Sequence, residues 1–113
     1  MLFYKLIGKL AVPCSMDEWM IMFADTDKRR VALDCIGLVE VSTVFIGIDR
    51  SVVREGGALL FETMVFGLAA DDTGNWTRRY VSWDEAERGH AVTVDAVREL
   101  VAAANASLRG ADK

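Results

Sequence analysis

An α+β fold is predicted for this chain. It is an antiparallel β-sheet of four to five strands with two helices packed on one face, in the order β-α-β-β-β-β-α. Three observations predict it. Residues 39–67, VEVSTVFIGIDRSVVREGGALLFETMVFG, set two β-rich runs either side of a polar, glycine-containing turn, as in a hairpin. Ser15-Met16-Asp17-Glu18 and Ser82-Trp83-Asp84-Glu85 both have the spacing of a capping box, which opens a helix. Apolar residues after each box recur at three- and four-residue steps, so each helix carries a stripe to bury.

The elements follow in order. Leu2 to Val12 is rich in β-favouring side chains and stops at Pro13, the only proline, which predicts a first strand. The first helix runs from Ser15 to Ala24, with Met16, Trp19, Met20 and Phe23 as its stripe. Asp17 and Glu18 sit in its first turn, where the helix dipole favours negative charge. The segment ADTDKRR reads as a polar connection. Arg30 to Cys35 is a short strand turning near Ile36-Gly37, and Leu38 to Ile48 a stronger one. In the latter Val39, Val41, Thr43 and Phe45 point one way, and Glu40, Ser42, Val44 and Ile46 the other. Leu59 to Phe66 is the next strand, DDTGN a turn, and Trp76 to Val81 a further strand. In the final helix Ala86, His90, Val94, Val97, Val101, Ala104 and Leu108 form a stripe over about six turns. Gly110 is its predicted stop.

A chain of 113 residues is expected to form one domain, residues 1–113, able to bury roughly two-thirds of its unfolded surface. Hydrophobic residues make up 52% and charged residues 27%, which argues against disorder. The net charge of −4 repels phosphate, so no direct sequence-specific nucleic-acid partner is expected and a basic protein surface suits better. Lys28-Arg29-Arg30 and Arg78-Arg79 run against that total but are short, and read as solvated charges. The N-terminal stretch lacks the pattern of an export signal, and no run approaches the ~18 apolar residues of a membrane span. A cytoplasmic protein is therefore expected, with Cys14 and Cys35 as free thiols.

No motif carries a defined chemistry. His90 is the only histidine and lies on the stripe of the long helix, as a core-edge residue with a satisfied ring nitrogen would. No His/Cys/Asp spacing supplies a metal site, and no cofactor is expected. Glu62 stands among bulky apolar neighbours, which would raise a carboxyl pKa; an ion pair or hydrogen bond with Arg50, Arg78 or Ser42 is the simpler reading. Arg54-Glu55-Gly56-Gly57-Ala58 has no Gly-Lys-Ser/Thr and leads into a strand, so it is not a phosphate loop. Trp76 with Arg78 and Arg79 has the composition of a single-strand-binding patch, against which the overall acidity argues.

VSTVFIGIDR (41–50), LLFETMVFG (59–67) and YVSWDEAERGH (80–90) resemble a group of small, functionally uncharacterised proteins from tailed phages and prophages. Members read V-S-T-V-F-L-G-x-D-H, L-L-F-E-T-M-x-F-G and Y-x-T-W-x-E-A-x-x-G-H. The resemblance covers roughly residues 39–98, and Arg50 stands where the group has histidine. It brings no catalytic residue. It implies context: a small accessory protein of a phage or mobile element, acting in the host cytoplasm. From this, with size and charge, the expected function is non-enzymatic: binding and inhibiting a host machine, most concretely as an anti-CRISPR-like inhibitor of a defence complex. The expected partner is a host protein or nucleoprotein complex with a basic surface; a homodimer is left open. Two alternatives stand beside it. One is a phage housekeeping protein that binds a phage protein or a nucleotide. The other is a small acid–base enzyme using Glu62, His90 and Asp49. The expected contact residues are Asp71, Asp72 and Trp76 in and beside the acidic turn, with Asp49 and Arg50 in the preceding loop.

Overall fold

The computed structural model describes residues 2–49, 57–68 and 76–111. The fold is α+β. Its strands are β1 (Leu2–Ile7), β2 (Leu10–Cys14), β3 (Arg30–Ile36), β4 (Val39–Phe45), β5 (Ile48–Asp49), β6 (Phe61–Phe66) and β7 (Arg78–Tyr80). Its helices are α1 (Met16–Phe23), α2 (Thr26–Arg29) and α3 (Trp83–Ala111). The strands form two antiparallel sheets, of order β2-β1-β5 and β3-β4-β6-β7.

The division into two sheets refines the expected single sheet, and local chemistry explains it. The apolar run from Leu2 to Val12 folds back at Gly8-Lys9, so Ile7 faces Leu10 across a tight hairpin. Pro13 lies within β2 rather than ending it, which an edge strand tolerates. The run from Leu38 to Ile48 breaks at Gly47, the point where the chain leaves one sheet for the other. Gly47 has φ +68, and a Cβ there would stand 2.7 Å from the Tyr4 carbonyl oxygen and 2.8 Å from the Phe45 ring. Only glycine fits this junction. Its own carbonyl accepts from Tyr4 N at 2.8 Å, while Ile46 N donates to Leu60 O at 2.7 Å, so the two sheets are tied across it.

Both predicted capping residues cap. Ser15 Oγ accepts from Glu18 N at 3.2 Å, and Ser82 Oγ accepts from Glu85 N at 3.1 Å. Glu85 in turn accepts from Val81 N at 3.0 Å. The predicted polar connection contains α2, capped by Asp25, whose carboxylate accepts from Lys28 N. This helix of four residues has no apolar period to announce it.

The core lies between the four-stranded sheet and α3. Val39, Val41 and Val65 meet Val94 and Val97; Phe45, Leu60, Phe61 and Tyr80 meet Ala86. The alternation predicted for β4 holds and β6 alternates likewise: Val41, Thr43, Phe45, Phe61, Thr63 and Val65 are buried, and the intervening residues are not. Beyond Val97 the stripe leaves the sheet. Val101 is half-buried, and Ala104 and Leu108 are exposed. Helix α1 differs more from expectation. Its inward side chains are Trp19 and Met22, whereas Met16, Met20 and Phe23 are exposed.

Candidate functional site

The densest polar arrangement in the core is built from four residues on four elements. The alternation of β4 and β6 turns Thr43 and Thr63 towards α3, and antiparallel pairing sets them directly opposite one another. Their hydroxyls are 2.5 Å apart. The stripe of α3 brings His90 onto them, with Nδ1 2.7 Å from Thr43 Oγ1. On the neighbouring strand β3, Asp34 pairs with Val41 and so shares the helix-facing side. Its Oδ2 lies 2.7 Å from His90 Nε2.

These contacts form one directed chain in the neutral imidazole. Thr63 donates to Thr43, Thr43 donates to Nδ1, and the Nε2 proton goes to Asp34, so the network fixes the tautomer. The order carboxylate–imidazole–hydroxyl is that of a nucleophilic triad. Access decides what it can do. Thr43 and Thr63 are both 0% exposed, and His90 is 4% exposed, so no substrate meets the hydroxyl. Only the Asp34 carboxylate, 46% exposed, opens to solvent. As placed, the array pins α3 to three strands and satisfies polar groups that would otherwise be buried at a cost.

Glu62 does not join it. It neighbours Thr63 in β6 and therefore points to the opposite face, where its carboxylate accepts from Arg79 Nε at 2.9 Å. Arg79 is its cross-strand partner, rather than any of the three predicted residues. Glu62, His90 and Asp49 accordingly share no pocket: Asp49 lies in β5 of the other sheet, paired with Leu2. Among the expected contact residues, Asp71, Asp72 and Arg50 lie outside the described residues. Trp76 is described, and it is half-buried against the Val39–Val97 cluster rather than a free aromatic anchor. Cys14 and Cys35 are free thiols in separate sheets. Burial pushes the Cys14 thiol up, as does the nearby Glu18 carboxylate.

Sequence reasoning placed His90 on the stripe but missed its partners. The signal was present for the threonines: each occupies an apolar-facing position in an alternating strand. Asp34 had no such signal, because its strand reads as mixed on both faces.

Among the described residues no group of three or more His, Cys, Asp or Glu side chains is placed to hold a metal ion, and no helix is long and apolar enough to cross a membrane. No family model, curated protein or solved structure matches this chain.

Proposed function

We propose that this chain is a non-enzymatic accessory protein of a phage or mobile element that binds and inhibits a host machine, most concretely an anti-CRISPR-like inhibitor of a defence complex. The observation that carries the reading is the burial of Thr43 and Thr63. Among the described residues, the one array with catalytic order presents no hydroxyl to a substrate. The proposed mode of action is contact through the surface. Helix α1 supports that mode: none of its residues is buried, and Met16, Met20, Ile21 and Phe23 are 54%, 54%, 77% and 39% exposed. Exposed apolar groups on one short helix are what partner contact uses, and methionine repacks readily against a partner. The net charge of −4 favours encounter with a basic surface. The phage context and the host target rest on the resemblance of residues 39–98.

The test is restriction in a host whose defence complex cleaves an incoming phage. Expression of the chain should restore plating to near that of a host lacking the complex. The double variant Met20→Asp, Ile21→Asp should not, while melting as the parent does. A parent chain that leaves both restriction in cells and cleavage by the purified complex unchanged overturns the reading.

A further inference from the structure

We infer that the last turns of α3 pair, antiparallel, with the same turns of a second copy of this chain. The inference goes beyond the proposed inhibitor function and concerns different residues. Helix α3 runs antiparallel to β4: Ala86 packs at the Phe45 end of that strand and Val97 at the Val39 end. The helix therefore leaves the sheet beside the β3–β4 turn and continues to Ala111. From Arg98 onward this is an arm ~20 Å long, at about 1.5 Å per residue.

The arm carries the core stripe out into solvent. Val94, Val97, Val101, Ala104 and Leu108 succeed one another at alternating steps of three and four, the spacing of a coiled-coil seam. Val94 and Val97 are buried against Val39, Val41 and Val65, and Val101 is half-buried at the edge of the same cluster. Ala104 is exposed, and Leu108 is 67% exposed. One seam thus begins as core and ends uncovered, with no change in its spacing where the sheet stops. A helical segment this short is marginal in water by itself, so cover stabilises the arm as well as the seam.

Charge and layer geometry choose the occupant. Helical spacing sets Arg98 and Asn105 along one side of the seam, and Leu100 and Ser107 along the other. No carboxylate lies on the seam or beside it, so a basic target gains nothing here, and one arginine is too little for an anionic bilayer. An uncharged seam of this period is covered by another of the same kind, which a second copy supplies. The seam faces the layer of the sheet, so the covering helix lies in that layer, beyond the end of the sheet. A parallel second copy would bring its own sheet into the space of the first. An antiparallel one sets the two sheets at opposite ends of the paired arms. Val101 then meets Ala104 of the second copy, large against small, and Arg98 stands across from its Asn105, with no like charges together. Leu108 of the second copy arrives at the β3–β4 turn, where Leu38 is 97% exposed, the most exposed large apolar residue described. The overlap is shorter than a stable interface of ~1,200 Å² needs, so the pair should dissociate on dilution.

The test is sedimentation equilibrium of the full chain from about 10 μM to about 1 mM, the span of weak association. The parent should pass from monomer to dimer, and amides of residues 98–108 should gain hydrogen-exchange protection as it does. The double variant Ala104→Glu, Leu108→Glu should weaken association by about tenfold or more. It should melt as the parent does when dilute, because both side chains are exposed in the single chain. Orientation is read with a spin label on Ala106→Cys, in a chain also carrying Cys14→Ser and Cys35→Ser, mixed with isotope-labelled parent. The labelled parent's amides at Ile36 to Leu38 should broaden. A parent that stays monomeric throughout, a double variant that associates as tightly as the parent, or broadening confined to the arm would each overturn the inference. Binding of the monomer to lipid vesicles, without dimerisation, would overturn it in favour of a bilayer.

Discussion

Residues 2–38 and residues 39–97 use similar amounts of apolar sequence to very different ends. Every buried residue described lies in the second segment, and the first has none. The second segment sandwiches a sheet face against a long helix, so side chains from two layers close over one another. The first lays one helix of eight residues on the β1–β2 hairpin and gives its third strand, β3, to the edge of the four-stranded sheet, too little area to seal an interior of its own. It is held instead by a few directional contacts. Phe3, Trp19 and Phe23 form an aromatic row with centroid spacings of 5.3 and 4.7 Å. Trp19 Nε1 donates to Ile46 O at 3.0 Å, and the Arg29 guanidinium lies 3.9 Å from the Phe23 ring centroid while donating to Phe45 O. The Trp19 and Arg29 hydrogen bonds reach Ile46 and Phe45, so the first region leans on the second. An apolar stripe thus guarantees burial only where a second layer is wide enough to cover it.

Mutations can break or sharpen that contrast. The largest effect is expected at Val97, which is 0% exposed in the α3–sheet core. Val97→Asp buries an unpaired charge and should cost about 3–5 kcal/mol, abolishing cooperative unfolding in a urea melt. A soluble variant with an intact transition would show that the second region is not the core. Gly47→Ala comes next. It should cost about 1–3 kcal/mol through strain at the junction, with hydrogen-exchange protection lost in β1 and β2 first and retained in β4 and β6. Uniform loss across both sheets would mean that the two regions unfold together.

His90→Gln should cost about 1–2 kcal/mol, because the amide reaches one partner of the array and not both. Ile21, 77% exposed, is expected to be neutral: Ile21→Asp should shift stability by less than about 0.5 kcal/mol. A large loss there would place α1 in an interface. The smallest effect belongs to the exposed Lys5–Glu18 pair. The Lys5 ammonium holds the Glu18 carboxyl below its ordinary range, and Glu18 raises Lys5 in return. A lowered carboxyl stabilises above its unfolded value, and that contribution disappears as pH falls through the folded one. The raised lysine stabilises below its unfolded value and loses this as pH rises through the folded one. The difference between parent and Glu18→Gln should therefore be flat near neutrality and shrink in acid. A difference that grows in acid would contradict the pairing.

Much of the second region was legible because one periodicity ran its full length. The alternation of Val39 to Phe45 and the three-four steps from Ala86 to Val97 each named a buried face, and those faces meet. The first region was harder to read, since its decisive features are single residues. Gly8 turns what reads as one strand into a hairpin, and Gly47 moves a continuous β-rich run between sheets. Met16 and Met20 fit a stripe that the fold leaves uncovered. The Asp34–His90 contact spans 56 positions and depends on sheet order, which no local pattern encodes.

The two cysteines, both within residues 2–38, fall one in each sheet and turn the contrast between the sheets into a clock. Cys35 is exposed on β3, while Cys14 lies half-buried in β2 with a thiol that burial makes harder to ionise. One chain therefore carries an internal pair of chemical reporters, one per sheet, with no label added. At fixed pH an alkylating reagent should take Cys35 at a rate set by its own chemistry, and Cys14 at a rate gated by opening of the hairpin. Their ratio, followed against temperature, should move towards that of the unfolded chain as β2 opens, and a change that precedes the main melt would show β2 opening first.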